Sequence, residues 1–264
     1  MVMGPTHAVS GAAAWLIGSA AAHHLLGIEQ SAAAVAVGTI ACTGAALLPD
    51  LDCPGNLRTG EGGSTVARTF GRASMAVSRL VERGSLGIVR ATSTRYDKPR
   101  KNGHRTLTHT WLFALLTGAA IWGLVAGFGQ YAVGGIMFVM TGVAFRGIAP
   151  KRIRKLGVWG TIVVSLVAAF ACAHLLPATE APAVMAVAIA GGCIVHTLGD
   201  MLTKMGCPIA FPVPIKSRRW YELGLPAPIA IRAGAPIERI VLMPACTLGA
   251  SIGAVLTFAP EVLQ

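Results

Sequence analysis

Four short segments of this 264-residue chain carry side chains able to hold a metal ion. GPTHAVSG contributes His7, LLPDLD contributes Asp50 and Asp52, HRTLTHT contributes His104 and His109, and HTLGD contributes His196 and Asp200. His196 and Asp200 are four residues apart, so on a helix they share one face. Two ligands at that spacing can clamp one ion, the geometry that makes H-E-x-x-H work. Asp50 and Asp52 flank a single residue in a segment that extends or turns after Pro49, so both carboxylates can point to one side. Imidazole with carboxylate suits a divalent metal, zinc first, with manganese or iron as alternatives. A catalytic zinc commonly takes roughly three protein ligands plus a water. The candidates exceed one such site and suit two ions with a bridging water. Asp50 or Asp52 could instead serve as the general base, a role that needs only a carboxylate near the water.

The elements that must position these residues are written in the hydropathy. The chain is 54% hydrophobic and 12% charged, where soluble domains carry about 25% charged residues. Apolar runs fall at 8–28, 31–48, 111–129, 131–149, 156–177, 182–199 and 239–259. Each is close to the roughly 20 residues that cross a bilayer as a helix. The expected fold is all-α, a polytopic membrane bundle of about seven transmembrane helices forming a single membrane domain over 1–264. A basic loop at about 53–110 and a second at about 200–238 interrupt it.

Charge sets the orientation. The net charge of +11 would point a soluble protein towards nucleic acid, but here its distribution is topological, and no nucleic-acid partner is expected. Eleven Lys and Arg lie between Arg58 and Arg105, five between Arg146 and Lys155, and six between Lys204 and Arg239. The positive-inside rule puts these three loops, and the N-terminus, in the cytoplasm. All four His and Asp segments then reach the cytoplasmic face, whereas His23, His24 and His174 lie at the opposite ends of their spans.

The first loop holds an amphipathic helix of its own. Val66, Phe70, Ala73, Val77, Leu80 and Val81 recur at helical spacing, opposite Arg68, Arg72, Arg79 and Arg83. Such a helix either lies in the membrane interface or caps the bundle. Arg105, Lys204, Arg218 and Arg219 are the candidates for binding substrate phosphate, since guanidinium matches phosphate oxygens. Thr108 and Thr203 could hydrogen-bond a ligand residue. The six cysteines form no C-x-x-C pair and read as small buried hydrophobes. The opening MVMGPTH lacks the basic start of a signal peptide, so His7 is expected in the mature protein.

GPTHAVSG, LLPDLDCPG, STVAR, HRTLTHT and HTLGDMLTKMGCPIAFPVP, in this order, resemble the YdjM-like family of bacterial inner-membrane proteins, described as predicted metal-dependent hydrolases. The family is grouped distantly with zinc-dependent phospholipases C and single-strand nucleases, helical enzymes that cleave phosphoesters with zinc ions held by His and Asp. The resemblance implies metal-ligand roles for His7, Asp50, Asp52, His104, His109, His196 and Asp200. The chain departs from the family at Cys53, where many members have His, at Thr110, where many have Ser, and in a long loop from Gly55 to Gly103. A Cys53 thiolate could replace the missing imidazole, or the position binds no metal.

The expected function is a membrane-embedded metal-dependent hydrolase, with phosphoester the favoured bond and a lipid or lipid-linked head group the favoured substrate. Two other classes stay in view. A metal or ion transporter should carry polar residues through the bilayer, and the spans beyond the site are nearly bare of them. A non-catalytic scaffold, whose metal only pins the helices, is compatible with the sequence.

Overall fold

The computed structural model describes residues 3–149, 153–232 and 234–259. Its helices are α1 (Gly4–Leu26), α2 (Ala32–Ala45), α3 (Arg72–Thr92), α4 (Trp111–Ile148), α5 (Gly157–Leu175), α6 (Ala181–Met201) and α7 (Met243–Phe258). α2 forms the centre, packed against α1, α4 and α6, while α5 lies outside α4 and α7 outside α1. Small residues bring these helices close, as in membrane bundles generally. A Cβ on Gly11 of α1, or on Gly192 of α6, would stand 2.6 Å from the carbonyl oxygen of Cys42 in α2.

Local sequence explains where the helices begin and end. Pro5 opens α1, where its missing N–H is no loss. The Ser31 hydroxyl caps α2 by accepting from Ala34 N at 3.1 Å, and both Ser31 N and its hydroxyl donate to Glu180, which precedes α6. Thr110 caps α4 in the same way, accepting from Phe113 N at 3.1 Å. α2 gives way to a 3-10 turn over Leu48–Asp52 with Pro49 in its first positions.

α4 has 38 residues, about 57 Å if straight, nearly twice the ~30 Å hydrocarbon core of a bilayer. It is not straight: Gly129 has φ 54 and ψ −133. At the start of α4, Trp111 Nε1 donates to Thr197 of α6 at 3.2 Å. Near its end, Gly147 sits under Leu47, at the C-terminal side of α2, so close that a Cβ would stand 2.5 Å from that side chain. Both ends of α4 therefore return to one end of the bundle, and the helix folds back at Gly129.

Among the described residues, five helical stretches are long and apolar enough to cross a membrane: Ala32–Asp52, Trp111–Ile148, Gly157–Leu175, Ala181–Met201 and Glu238–Phe258. The architecture is thus an all-α, multi-pass membrane bundle. The difference from the expected seven arises at two places. Two of the apolar runs, on either side of the Gly129 fold-back, fall within the single stretch Trp111–Ile148, and α1 is diluted by Ser10, Ser19, His23 and His24.

The basic loop differs from expectation in its amphipathic helix. Val66 lies in a separate 3-10 turn, packed on Ala8, Leu47 and Val143, and Phe70 stacks on Phe138 with ring centroids 5.1 Å apart. The chain turns at Gly71 (φ 65), and only then does α3 begin. α3 buries Met75, Ser78, Ser85 and Val89, with Ser78 donating to Leu51 O at 2.5 Å. Val77 and Leu80, on the expected apolar face, are 49% and 68% exposed. The small polar face docks on the turn that carries Asp50 and Asp52, where the Ser78 hydroxyl satisfies the Leu51 carbonyl; the apolar stripe is left to face outward.

The fold-back at Gly129 gives a stability prediction. A side chain at that φ and ψ is strained by roughly 1–3 kcal/mol, so Gly129→Ala should lower thermal stability in detergent. Gly123, with ordinary helical geometry and open space for a Cβ, should tolerate Ala or gain slightly. Equal melting temperatures for the two variants would show that Gly129 does not set the turn.

Candidate metal centre

One end of the bundle gathers the C-terminal end of α6, the start of α1, the Leu48–Asp52 turn and a second 3-10 turn over Leu107–His109. The side chains they deliver are buried: His7 is 1% exposed, Asp50 4%, and Asp52, His109, His196 and Asp200 0%. Two candidate metal-binding clusters result, Asp50–Asp52–His104–His109 and His7–His196–Asp200. They are continuous. His109 Nε2 lies 3.3 Å from His196 Nε2, 3.8 Å from Asp50 Oδ1 and 3.6 Å from Asp200 Oδ2. His196 Nε2 in turn lies 3.7 Å from Asp50 Oδ1 and 3.8 Å from Asp200 Oδ2.

The imidazoles are fixed from behind. His196 Nδ1 faces the Ala46 carbonyl at 2.8 Å, so it carries the proton and Nε2 offers its lone pair to the centre. His109 Nδ1 faces the Thr108 hydroxyl at 3.0 Å and Asp52 Oδ2 at 3.3 Å, which orients its Nε2 in the same sense. Asp52 is the common anchor of the HRTLTHT segment. It also takes the Thr108 hydroxyl at 2.5 Å, the Arg105 backbone N–H at 3.1 Å and His104 Nδ1 at 2.7 Å. Burial alone would push the His109 imidazole down, but the Asp52 carboxylate, with Asp50 and Asp200 behind it, outweighs burial and holds its pKa above the ordinary value.

These distances test whether a metal fits. Ligand atoms 2.0–2.2 Å from a tetrahedral ion stand about 3.3–3.6 Å apart, close to the separations observed. Two imidazole lone pairs facing each other at 3.3 Å repel unless a cation or proton lies between them. Asp50 Oδ1 is buried with no hydrogen-bond donor. With neutral imidazoles, three buried carboxylates against the single guanidinium of Arg105 leave a formal charge of −2, which a divalent ion cancels. The donor set fits a divalent metal.

The other sequence candidates are placed differently. Arg105 is 1% exposed and committed to structure: its Nη2 pairs with Asp200 Oδ2 at 2.6 Å, and its Nη1 donates to Thr203 and to Gly206 O, each at 3.2 Å. It holds a ligand candidate in place, where sequence reasoning assigned it to substrate. Lys204 is exposed. Arg218 closes a turn with Ile215, and Arg219 bonds Thr92 O and Asp97 at the far end of α3, so their contacts serve the 203–223 loop. Cys53 belongs to neither cluster; burial, with Asp50 and Asp52 nearby, pushes its thiol up to about 11. His23 pairs with Glu29, His24 approaches Leu256 O and His174 packs on Phe170, all at the opposite end of the bundle.

Glu238 was invisible to sequence reasoning, which counted it only as the edge of a basic loop. It is fully buried, accepting from Met3 N at 2.5 Å and Gly234 N at 2.7 Å. That clamp fixes the residue preceding α1 and, one turn on, His7, whose ring stacks on His196 with centroids 3.9 Å apart. Its signal was a lone acid at the start of an apolar run.

Residues 1–149 match the model of a family described as YdjM inner membrane protein. The match includes His7, Asp50, Asp52, His104 and His109, and stops before His196 and Asp200. No curated protein and no solved structure matches the chain.

The Arg105–Asp200 pair is open to a direct test. Removing one partner of a buried ion pair destabilises by about 3–5 kcal/mol, so Arg105→Ala should sharply lower the melting temperature of metal-stripped protein. Lys cannot reproduce the three-way fork to Asp200, Thr203 and Gly206, so Arg105→Lys should recover only part of the loss. A wild-type melting temperature in Arg105→Ala would show that Asp200 is neutralised by other means.

Proposed function

The chain belongs to the YdjM family of inner-membrane proteins, whose model spans more than half of it, and from that premise we propose that it is a membrane-embedded, metal-dependent hydrolase cleaving a phosphoester in a lipid or lipid-linked substrate. One observation carries the reading: His109 Nε2, His196 Nε2, Asp50 Oδ1 and Asp200 Oδ2 face one buried point from three separate segments. In this reading His109, His196 and Asp200 would hold a divalent ion, zinc by the character of the donors, leaving a position for water beside Asp50. Such an ion, when bound, lowers the pKa of a water and polarises a phosphoryl oxygen.

The chain's own residues have separable roles. Asp52 and the Ala46 carbonyl hold the two imidazoles with Nε2 forward. Asp50, the carboxylate whose Oδ1 has no hydrogen-bond donor, is the better placed of the two aspartates to take a proton from water; Asp52 acts as an orienting group. Asp200 turns Oδ2 to the centre and Oδ1 towards His7, 3.5 Å away. Arg105 holds Asp200 in place through its Nη2, 2.6 Å from Oδ2.

The lipid assignment rests on access. A cavity of about 440 Å³ between α1, α6 and α7 reaches His7, and Leu198, Leu202, Leu225 and Leu242 line it. An apolar chain fits such walls, while the phosphoester reaches the centre through His7. In this reading the basic loops favour a cytoplasmic position for this end of the bundle, and counting α4 as two crossings and α1 as one gives seven. Tags near Arg83, Lys155 and Arg219 should then report cytoplasmic, and tags near Glu29 and Glu180 external; external labelling near Arg83 in intact cells would overturn this orientation.

Metal content and turnover test the chemistry separately. His196→Ala and Asp200→Ala should each lose most of the bound metal and phosphoester hydrolysis while the protein stays folded in the membrane. His23→Ala and His174→Ala should keep both. Wild-type protein that binds metal but hydrolyses no phosphoester lipid would reduce the centre to a structural pin. Metal content indifferent to both site variants would reject the centre itself.

A further inference from the structure

A second cavity reaches the candidate centre at Asp50, and polar side chains share its lining. Asp50 borders a space of about 320 Å³ that is also lined by Ser64, Thr65 and Arg68. Thr65 and Arg68 are shared with a neighbouring cavity of about 430 Å³, whose wall adds Arg72 and Arg146. The arginines come from three separate elements: the turn over Val66–Arg68, the first turn of α3 and the last turn of α4. Among the described residues, none that lines the larger cavity is acidic. Arginine does not shed its proton to relieve repulsion as lysine or histidine does, so Arg68 and Arg72, with Arg146 beside them, favour an anion in the space they line. The N-terminus of α3, at Gly71 and Arg72, has no side-chain cap and adds its unpaired N–H groups and positive dipole end to the same wall.

We propose that Arg68, Arg72 and Arg146 form a binding site for the phosphate of an anionic lipid headgroup, in an antechamber that opens onto Asp50. Phosphate is the favoured anion because guanidinium binds it bidentately. The lipid source follows from the surroundings. Trp159, next to the cavity-lining Val158, is 79% exposed, and the outward stripe of α3 exposes Val77, Leu80 and Ile88. An exposed indole and a helix with apolar residues among arginines are what a protein presents at headgroup depth. That the bound headgroup is also the substrate rests on the hydrolase reading above; the binding site itself does not.

Binding of a short-chain phosphatidic acid to the full-length protein in neutral detergent tests the site without turnover. Arg68→Gln and Arg72→Gln should each weaken binding about tenfold or more, the loss expected for a charge-assisted hydrogen bond. Arg90→Gln, at the far end of α3, should leave it unchanged, and Arg68→Lys should retain part of it. Metal content equal to wild type in every variant will report an intact fold. Undiminished binding in Arg68→Gln and Arg72→Gln, or an equal loss in Arg90→Gln, overturns the site. Inorganic phosphate binding as tightly as the lipid overturns the lipid assignment. Protein that binds the probe through these arginines yet hydrolyses nothing would sink the hydrolase reading and leave the site standing.

Discussion

A carboxylate sealed from water inside a membrane bundle must be paired or neutralised, and Asp200 is the residue on which that constraint falls hardest. It projects from the last turn of α6 with no exposure. Arg105 comes from the loop before α4, His7 from α1, and His109 from the turn between them in space. Each partner is itself anchored: Arg105 N to Asp52, His109 to Asp52, and the start of α1 to Glu238. Ionised groups from across the sequence are therefore tied into one network at one end of the bundle. The opposite end is held more lightly, by the Ser31–Glu180 bonds and the His23–Glu29 pair.

That asymmetry explains the loops. The long basic loop looks like an insertion in sequence, but it is a brace. Ser64 donates to Asp50 O at 2.7 Å, Ser78 to Leu51 O and Glu82 accepts from Gly103 N at 3.0 Å. α3 thus holds both the turn bearing the aspartates and the turn leading to His104. The 203–223 loop is locked onto the other end of α3 by Asp97, which accepts from Trp220 N at 2.9 Å, and by Trp220 Nε1 donating to Thr92 at 3.1 Å. A centre whose ligand atoms must hold their separations needs this second layer.

The identity of the centre was legible because it depends on residue type and short-range spacing. The His196–Asp200 pair lies on one face of α6, and the positive-inside pattern sorted the segments to one end before any contact was known. What sequence could not give depends on which atom faces which. Asp50 and Asp52 look equivalent in LLPDLD; only the fold shows that Asp52 is consumed by Thr108, His104 and His109 while Asp50 Oδ1 stays without a donor. Arg105 reads as a free cation until Thr203 and Asp200 are seen around it. The periodicity of 66–81 found a helix but not which of its faces docks on the bundle: Ser78, bonding Leu51 O, docks the small polar face, and the apolar stripe faces outward. The count of five differs from seven because the two runs that meet at the Gly129 fold-back fall in one stretch and α1 is too polar to be among the five.

The charge of the network also gives its response to pH a definite sign. His109 is raised above the usual imidazole pKa by the carboxylates around it, against the opposing effect of burial. In the metal-free chain, the stability this contributes is fully present below about 6.5, the unfolded value, and is lost as pH rises through the folded one. A metal ion demands the opposite, because His109 must give up that proton before Nε2 can ligate. Proton and metal are therefore alternative ways of cancelling the same buried negative charge. Rising pH removes the first and strengthens the second, so the stabilisation gained from metal should grow towards the alkaline side. The same residue that would bind the ion would, when protonated, cancel part of the negative charge of the metal-free centre.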